Sequence, residues 1–125
     1  MAIEHKGFSH NYIADAADTA NYRFVVAATD PLEIADAGAG GVTLGVRTRP
    51  SVADTENEVM TIGQIAKLTL GTGGATIGNY LKAGSAGEGI VASADKDWVG
   101  AIALETGLDT QVISVLVTGF TLSTT

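Results

Sequence analysis

The sequence predicts an all-β fold, a small β-barrel or β-sandwich of short strands, and three observations carry that expectation. Apolar residues arrive in short runs separated by Gly, Pro, Asp and Asn, the punctuation of tight turns. No segment keeps a helical period for more than about two turns, so layered α/β architecture is not expected. The chain is 46% hydrophobic but only 6% aromatic, so its apolar mass is mostly Ala, Val, Ile and Leu. A chain of 125 residues makes one domain with a real core.

The elements follow in order. Residues 1–20 carry both histidines, His5 and His10, and show neither sustained alternation nor a helical stripe. They read as an extended N-terminal arm or irregular lead-in to a β-rich domain over residues 21–125. Such a segment is either a frayed terminus or a segment that orders only against a partner. Asn21–Thr29 reads as the first strand, rich in β-branched and aromatic residues and stopped by Asp30-Pro31. Pro31–Ala37 is the place for at most one short helix, with Asp30 as N-cap. Val42–Val46 is a strand whose Gly45 marks a bulge, and Arg47–Glu58 is an exposed polar loop. Val59–Ile62, Ile65–Leu70, Ala75–Lys82, Ile90–Ser93, Trp98–Leu104 and Val112–Val117 are further extended runs, and Thr118–Thr125 is a tail.

Charge and composition narrow the function. Seven basic residues against fourteen acidic give a net charge of −7, and the basic ones are scattered. Binding to nucleic acid or to an anionic membrane surface rests on clustered Lys and Arg, so neither partner is expected. No apolar run approaches a membrane span. Absence of Cys removes disulfides, thiolate metal sites and Cys nucleophiles. Met1–Lys6 lacks the apolar core of a signal peptide, so synthesis and release in the cytosol are expected.

Motifs for catalysis are weak. Gly38–Gly41 and Gly71–Gly74 lack the Lys-Ser/Thr and helix of a phosphate loop and read as turns. Asp54, Glu56 and Glu58 alternate, but without the glycine and terminal Glu of a calcium loop they read as a solvated acidic stretch. Asp95 and Asp97 flank Lys96 in a tight turn, where Asp side chains satisfy backbone N–H groups. His5 and His10 have no positioned partner, and nothing fixes the separation of Glu88 and Glu105. The expectation is a protein without catalytic residues, metal or cofactor. Trp98, the single tryptophan, reads either as a half-buried anchor or as a partner-facing contact.

One order of motifs points further. Leu44-Gly45-Val46 is followed by Gly-Gln-Ile-Ala-Lys-Leu at Gly63–Leu68, then by Ala75–Lys82, then by Gly-Ala-Ile-Ala-Leu-Glu at Gly100–Glu105 after a charged turn, and by Val112–Val117. Over Val42–Thr118 this resembles the small β-rich capsid decoration, or cement, proteins of tailed bacteriophages. The resemblance implies a structural virion protein that binds the outer surface of an assembled capsid. It implies bridging of major capsid protein subunits and bracing of the head against internal DNA pressure. The implied partners are the major capsid protein and copies of itself in a homotrimer. The implied location is the outer capsid surface, after synthesis in the bacterial host cytoplasm. The candidate capsid or inter-subunit contacts are Ile3, His5, Phe8, His10 and Tyr12 in the arm, together with Trp98. Two other readings stand beside it: another self-assembling virion module, such as a tail tube or head-fibre base, and a carbohydrate-binding module.

Overall fold

A computed structural model describes residues 10–14, 22–28, 33–48 and 56–123. Ten strands build it: β1 His10–Ala14, β2 Phe24–Ala27, β3 Glu33–Asp36, β4 Gly45–Arg47, β5 Glu56–Thr61, β6 Ile65–Thr69, β7 Tyr80–Ala83, β8 Gly89–Val91, β9 Trp98–Ala103 and β10 Val112–Thr121. There is no helix among the described residues, and the all-β expectation holds.

The strands form two sheets. The first closes on itself as a barrel in the order β1-β3-β2-β4-β5, antiparallel except for the parallel β1–β3 pair. The second is five-stranded in the order β6-β10-β9-β7-β8. It curls until Leu70, just past β6, bridges Gly89 of β8, so the far edges nearly meet. Curling lowers the exposure of edge N–H and C=O groups.

Alternation gives the barrel two apolar faces. Phe24, Val46 and Met60 join Ala66, Leu68, Leu81, Ala101, Val115 and Val117 of the second sheet in one buried cluster. On the other face, Val25, Ile34 and Val59 form a smaller cluster with Leu44. Full burial of each Val or Leu contributes about 1.5–3 kcal/mol, so the larger cluster dominates stability. The smaller face also takes Arg47, which is only 2% exposed and opposite Val59 in the register. Arg47 forms an ion pair with Asp36, which lies opposite Val25. A buried guanidinium needs such a partner, because an uncompensated charge in a dry interior is costly.

Phe24 joins the layers. Its ring lies on Gly100 of β9, where a Cβ would be 2.7 Å from the ring and 2.6 Å from Thr43 Oγ1. Its backbone N–H donates to the Gly87 carbonyl at 2.8 Å. Gly45 is a close-approach position too, not the expected bulge: it pairs in register with Val25 and Thr61, and a Cβ there would strike the Met60 carbonyl.

Several boundaries differ from the sequence expectations. The short helix over Pro31–Ala37 is replaced, across its described residues, by β3; Ile34 is wanted in the barrel and Asp36 beside Arg47, and tertiary contacts override a one-turn propensity. The lead-in reading is corrected over His10–Ala14, which is β1 and pairs with β5 and β3. The polar loop over Arg47–Glu58 is strand at both ends, since Arg47 closes β4 and Glu56–Glu58 open β5. The tail is strand to Thr121, with a register shift between Val117 and Phe120. The extended run over Ala75–Lys82 breaks in a turn, where the Asn79 N–H donates to the Thr76 carbonyl at 2.9 Å.

The charged turn behaves as the sequence suggests. Asp97 accepts from the Ala94 N–H at 3.0 Å and from Lys82 Nζ at 3.0 Å. The Lys82 hydrogen bond, then the Ala94 N–H, holds its carboxyl below the ordinary value of 3.8. A carboxylate lowered in the folded state adds stability that is present above its unfolded value and lost as pH falls through its folded value. Asp97→Asn is therefore expected to lower the urea midpoint at pH 7, and the two proteins are expected to converge as pH drops below about 4. Asp36→Ala is expected to lower the urea midpoint at pH 7, because it removes one ion-pair partner of a buried guanidinium.

Candidate interaction surface

Strand polarity gives the second sheet two ends. At one end Thr121 of β10 pairs with Trp98 of β9, and the turn after β5 leads into β6. At the other end lie the β6–β7 and β9–β10 connections, tied together by the Ala75–Gly107 bridge.

The first end is built around Trp98. The half-buried indole donates from Nε1 to Thr43 Oγ1 at 3.1 Å, across 55 positions of sequence. That bond fixes the ring without covering its face. Gly119 lies beneath it: a Cβ there would be 2.7 Å from Ile62 Cδ1 and 3.1 Å from Trp98 Cζ2. Ile62 and the ring are therefore neighbours over one small residue. Ile62 is 62% exposed, and Val42, next to Thr43, is 66% exposed. The Ile62 turn is rigid because Gln64 Oε1 accepts the Thr61 N–H at 2.8 Å. Ile62 and the indole thus share a braced end in a chain of net charge −7, with Val42 exposed one residue before Thr43. Contiguous exposed apolar surface is a mark of interaction sites.

The opposite end is also apolar. Ile77 is 62% and Leu108 70% exposed, on turns closed by the Asn79 and Gln111 side chains. Between the ends, the register sets Tyr80, Ile102, Leu116 and Ile65 side by side across four strands. Phe120 meets Tyr80 edge-on, with ring centroids 5.4 Å apart.

Of the contacts expected from the sequence, Trp98 falls on this surface. Ile3, His5 and Phe8 lie outside the described residues. His10 and Tyr12 belong to β1, at register positions opposite Val59 and Asn57 of β5, on a different sheet from Trp98. Val42 and Ile62 were not legible as contacts, since their exposure depends on what packs beside them; a single apolar residue next to glycine is the only trace they leave.

The aromatic residues have separate neighbours. Tyr22 lies under Lys67 Nζ at 5.7 Å, Tyr80 meets Phe120, and Trp98 binds Thr43. Among the described residues no three His, Cys, Asp or Glu side chains gather to hold a metal ion.

Comparisons with known proteins identify the fold. No family model matches the chain, and no curated protein matches it in sequence. A solved structure does. The chain shares its fold with the N base of the head fibre protein gp8.5 of bacteriophage phi29. The TM-score is 0.71 with 16% sequence identity, over 94% of this chain and 98% of that one. The two are therefore alike along nearly their whole lengths, in both the barrel and the second sheet.

Val42→Asp and Ile62→Asp are expected to shift unfolding free energy by no more than about 0.5 kcal/mol each in urea titrations, as for exposed positions outside the core. A large loss would mean that the two side chains serve the fold.

Proposed function

We propose that this chain is a structural module of a bacteriophage virion that seats on the outer surface of the head, as the base of a head fibre. The observation that carries the proposal is the shared fold with a phage head-fibre base over nearly the full length of both chains. It favours a fibre base over a shell-bracing cement protein, and it leaves a carbohydrate-binding role without support.

The physical features suit that task. A base needs two attachments, and the module exposes large apolar side chains toward each end of its second sheet, Ile62 and Trp98 with Val42 near one and Ile77 and Leu108 at the other. In the proposal the first meets the shell, through the major capsid protein, and the second meets the fibre or another copy of the chain. Trimeric association would suit attachment at a threefold position of an icosahedral lattice. Attachment repeated over many equivalent places needs only modest affinity at each. The acidic surface keeps decorated particles apart through like-charge repulsion. The function is adhesion and not turnover. The arm residues Ile3, His5 and Phe8 remain candidate contacts to shell or neighbour.

Heads of the encoding phage, assembled without this protein, provide the test. The purified chain is expected to co-sediment with them saturably, at a fixed number of copies per head. Val42→Asp with Ile62→Asp is expected to weaken that binding at least tenfold, as loss of central apolar contacts does. A folded wild-type chain that stays at the top of the gradient would refute the proposal. Tubes formed by the chain alone in negative stain would place it in a tail instead.

A further inference from the structure

A second recognition feature borders the Ile77–Leu108 end, where Gly74 lies against Leu108. Thr72, Gly73, Gly74, Gly84, Ser85, Glu88, Ile90 and Val91 line an open hollow of 420 Å³. Glu88 is its only ionisable side chain.

The carboxylate is locked in place by glycines. A Cβ at Gly71 would run into Glu88 Cγ, and one at Gly84 would run into Glu88 Oε1. Glycine at both positions leaves the room in which the side chain lies against two stretches of backbone. Oε1 accepts the Ala86 N–H at 3.0 Å. The backbone is pinned too: the Gly84 N–H donates to the Glu88 carbonyl at 2.7 Å, and the Gly71 N–H donates to the Gly89 carbonyl at 2.8 Å. The second carboxylate oxygen, Oε2, has no hydrogen-bond partner among the described residues, and no Lys or Arg lines the hollow.

The lining has two halves. Ile90 and Val91 contribute apolar lining, while Thr72 and Ser85 bring hydroxyl-bearing residues to the same hollow. An alkyl stem with a planar, many-donor cation at its tip matches this division. The stem lies on apolar wall, and the head meets a fixed carboxylate and nearby hydroxyl acceptors. A guanidinium fits better than an ammonium, because its forked N–H groups address both oxygens of a carboxylate at once.

We propose that the Glu88 hollow is a receptor for an arginine side chain presented by the partner that covers the Ile77–Leu108 end. The proposal rests on the head-base reading only for the source of that arginine. Charge supports the assignment: the chain carries −7 overall, so a basic partner is drawn to it, and the glycine-clasped carboxylate gives that attraction one fixed target.

The probe is Nα-acetyl-arginine amide, with Nα-acetyl-lysine amide as comparison, titrated into the isotope-labelled full chain and followed by amide NMR. Saturable shifts confined to Gly71–Gly74 and Gly84–Glu88 are expected, in the millimolar range for so small a probe. The lysine analogue is expected to bind several-fold more weakly, and Glu88→Gln, which keeps the shape, to abolish the local shifts while circular dichroism stays unchanged. Absence of localised shifts with the arginine probe, or equal shifts in Glu88→Gln, would overturn the proposal. Equal affinity for the lysine analogue would overturn the guanidinium assignment. Head co-sedimentation of the unsubstituted chain separates the two ideas. Probe binding without head binding sinks the head-base reading, and head binding without probe binding sinks the arginine receptor.

Discussion

The contact between the Phe24 ring and Gly100 holds the molecule together as one body. Phe24 belongs to the barrel and Gly100 to the second sheet, and the ring can lie there only because β9 has no side chain at that point. The same residue sends its N–H to the Gly87 carbonyl, so ring and backbone both cross the junction. Close approach here sets where Thr43 falls, and Thr43 in turn fixes the Trp98 indole. The candidate surface is thus a consequence of core packing.

Economy of side-chain volume explains the composition. A chain with few aromatics buries its layers by bringing backbones close, and its glycines and alanines are where that happens. The large apolar side chains left over are then available for the ends. Ile62, Ile77 and Leu108 are exposed on short turns whose geometry is held by Gln64, Asn79 and Gln111, and Val42 is exposed on the stretch that leads into Thr43. A docking surface on braced turns loses little conformational entropy on binding.

Much of the second sheet was legible in the sequence. β6, β9 and β10 are apolar runs with turn residues on both sides, and their existence follows from that pattern. The barrel was harder. β1, β3 and β5 are rich in polar and charged residues, and what makes them strands is the partner beside them: Ile34 enters a core that other segments build, and Asp36 is required by Arg47. Of the candidate site, Trp98 was visible because it is unique, and the turn role of Asp97 because Asp closes tight turns. The Glu88 hollow was not visible, because Gly71 and Gly84 reach it from separate segments and glycine spacing alone reads as turn chemistry. The resemblance to phage decoration proteins is legible in the order of short motifs, and the fold shared with the phi29 head-fibre base is not, at 16% identity.

The central claim is that a braced apolar end seats this module on a phage head. A cryo-electron reconstruction of heads with and without the bound chain tests it most directly. The account predicts discrete added density at equivalent positions on the outer shell, with the Val42–Ile62–Trp98 end turned inward and the Ile77–Leu108 end turned outward. Density confined to the tail, no added density, or a module lying with its barrel end against the shell would contradict it.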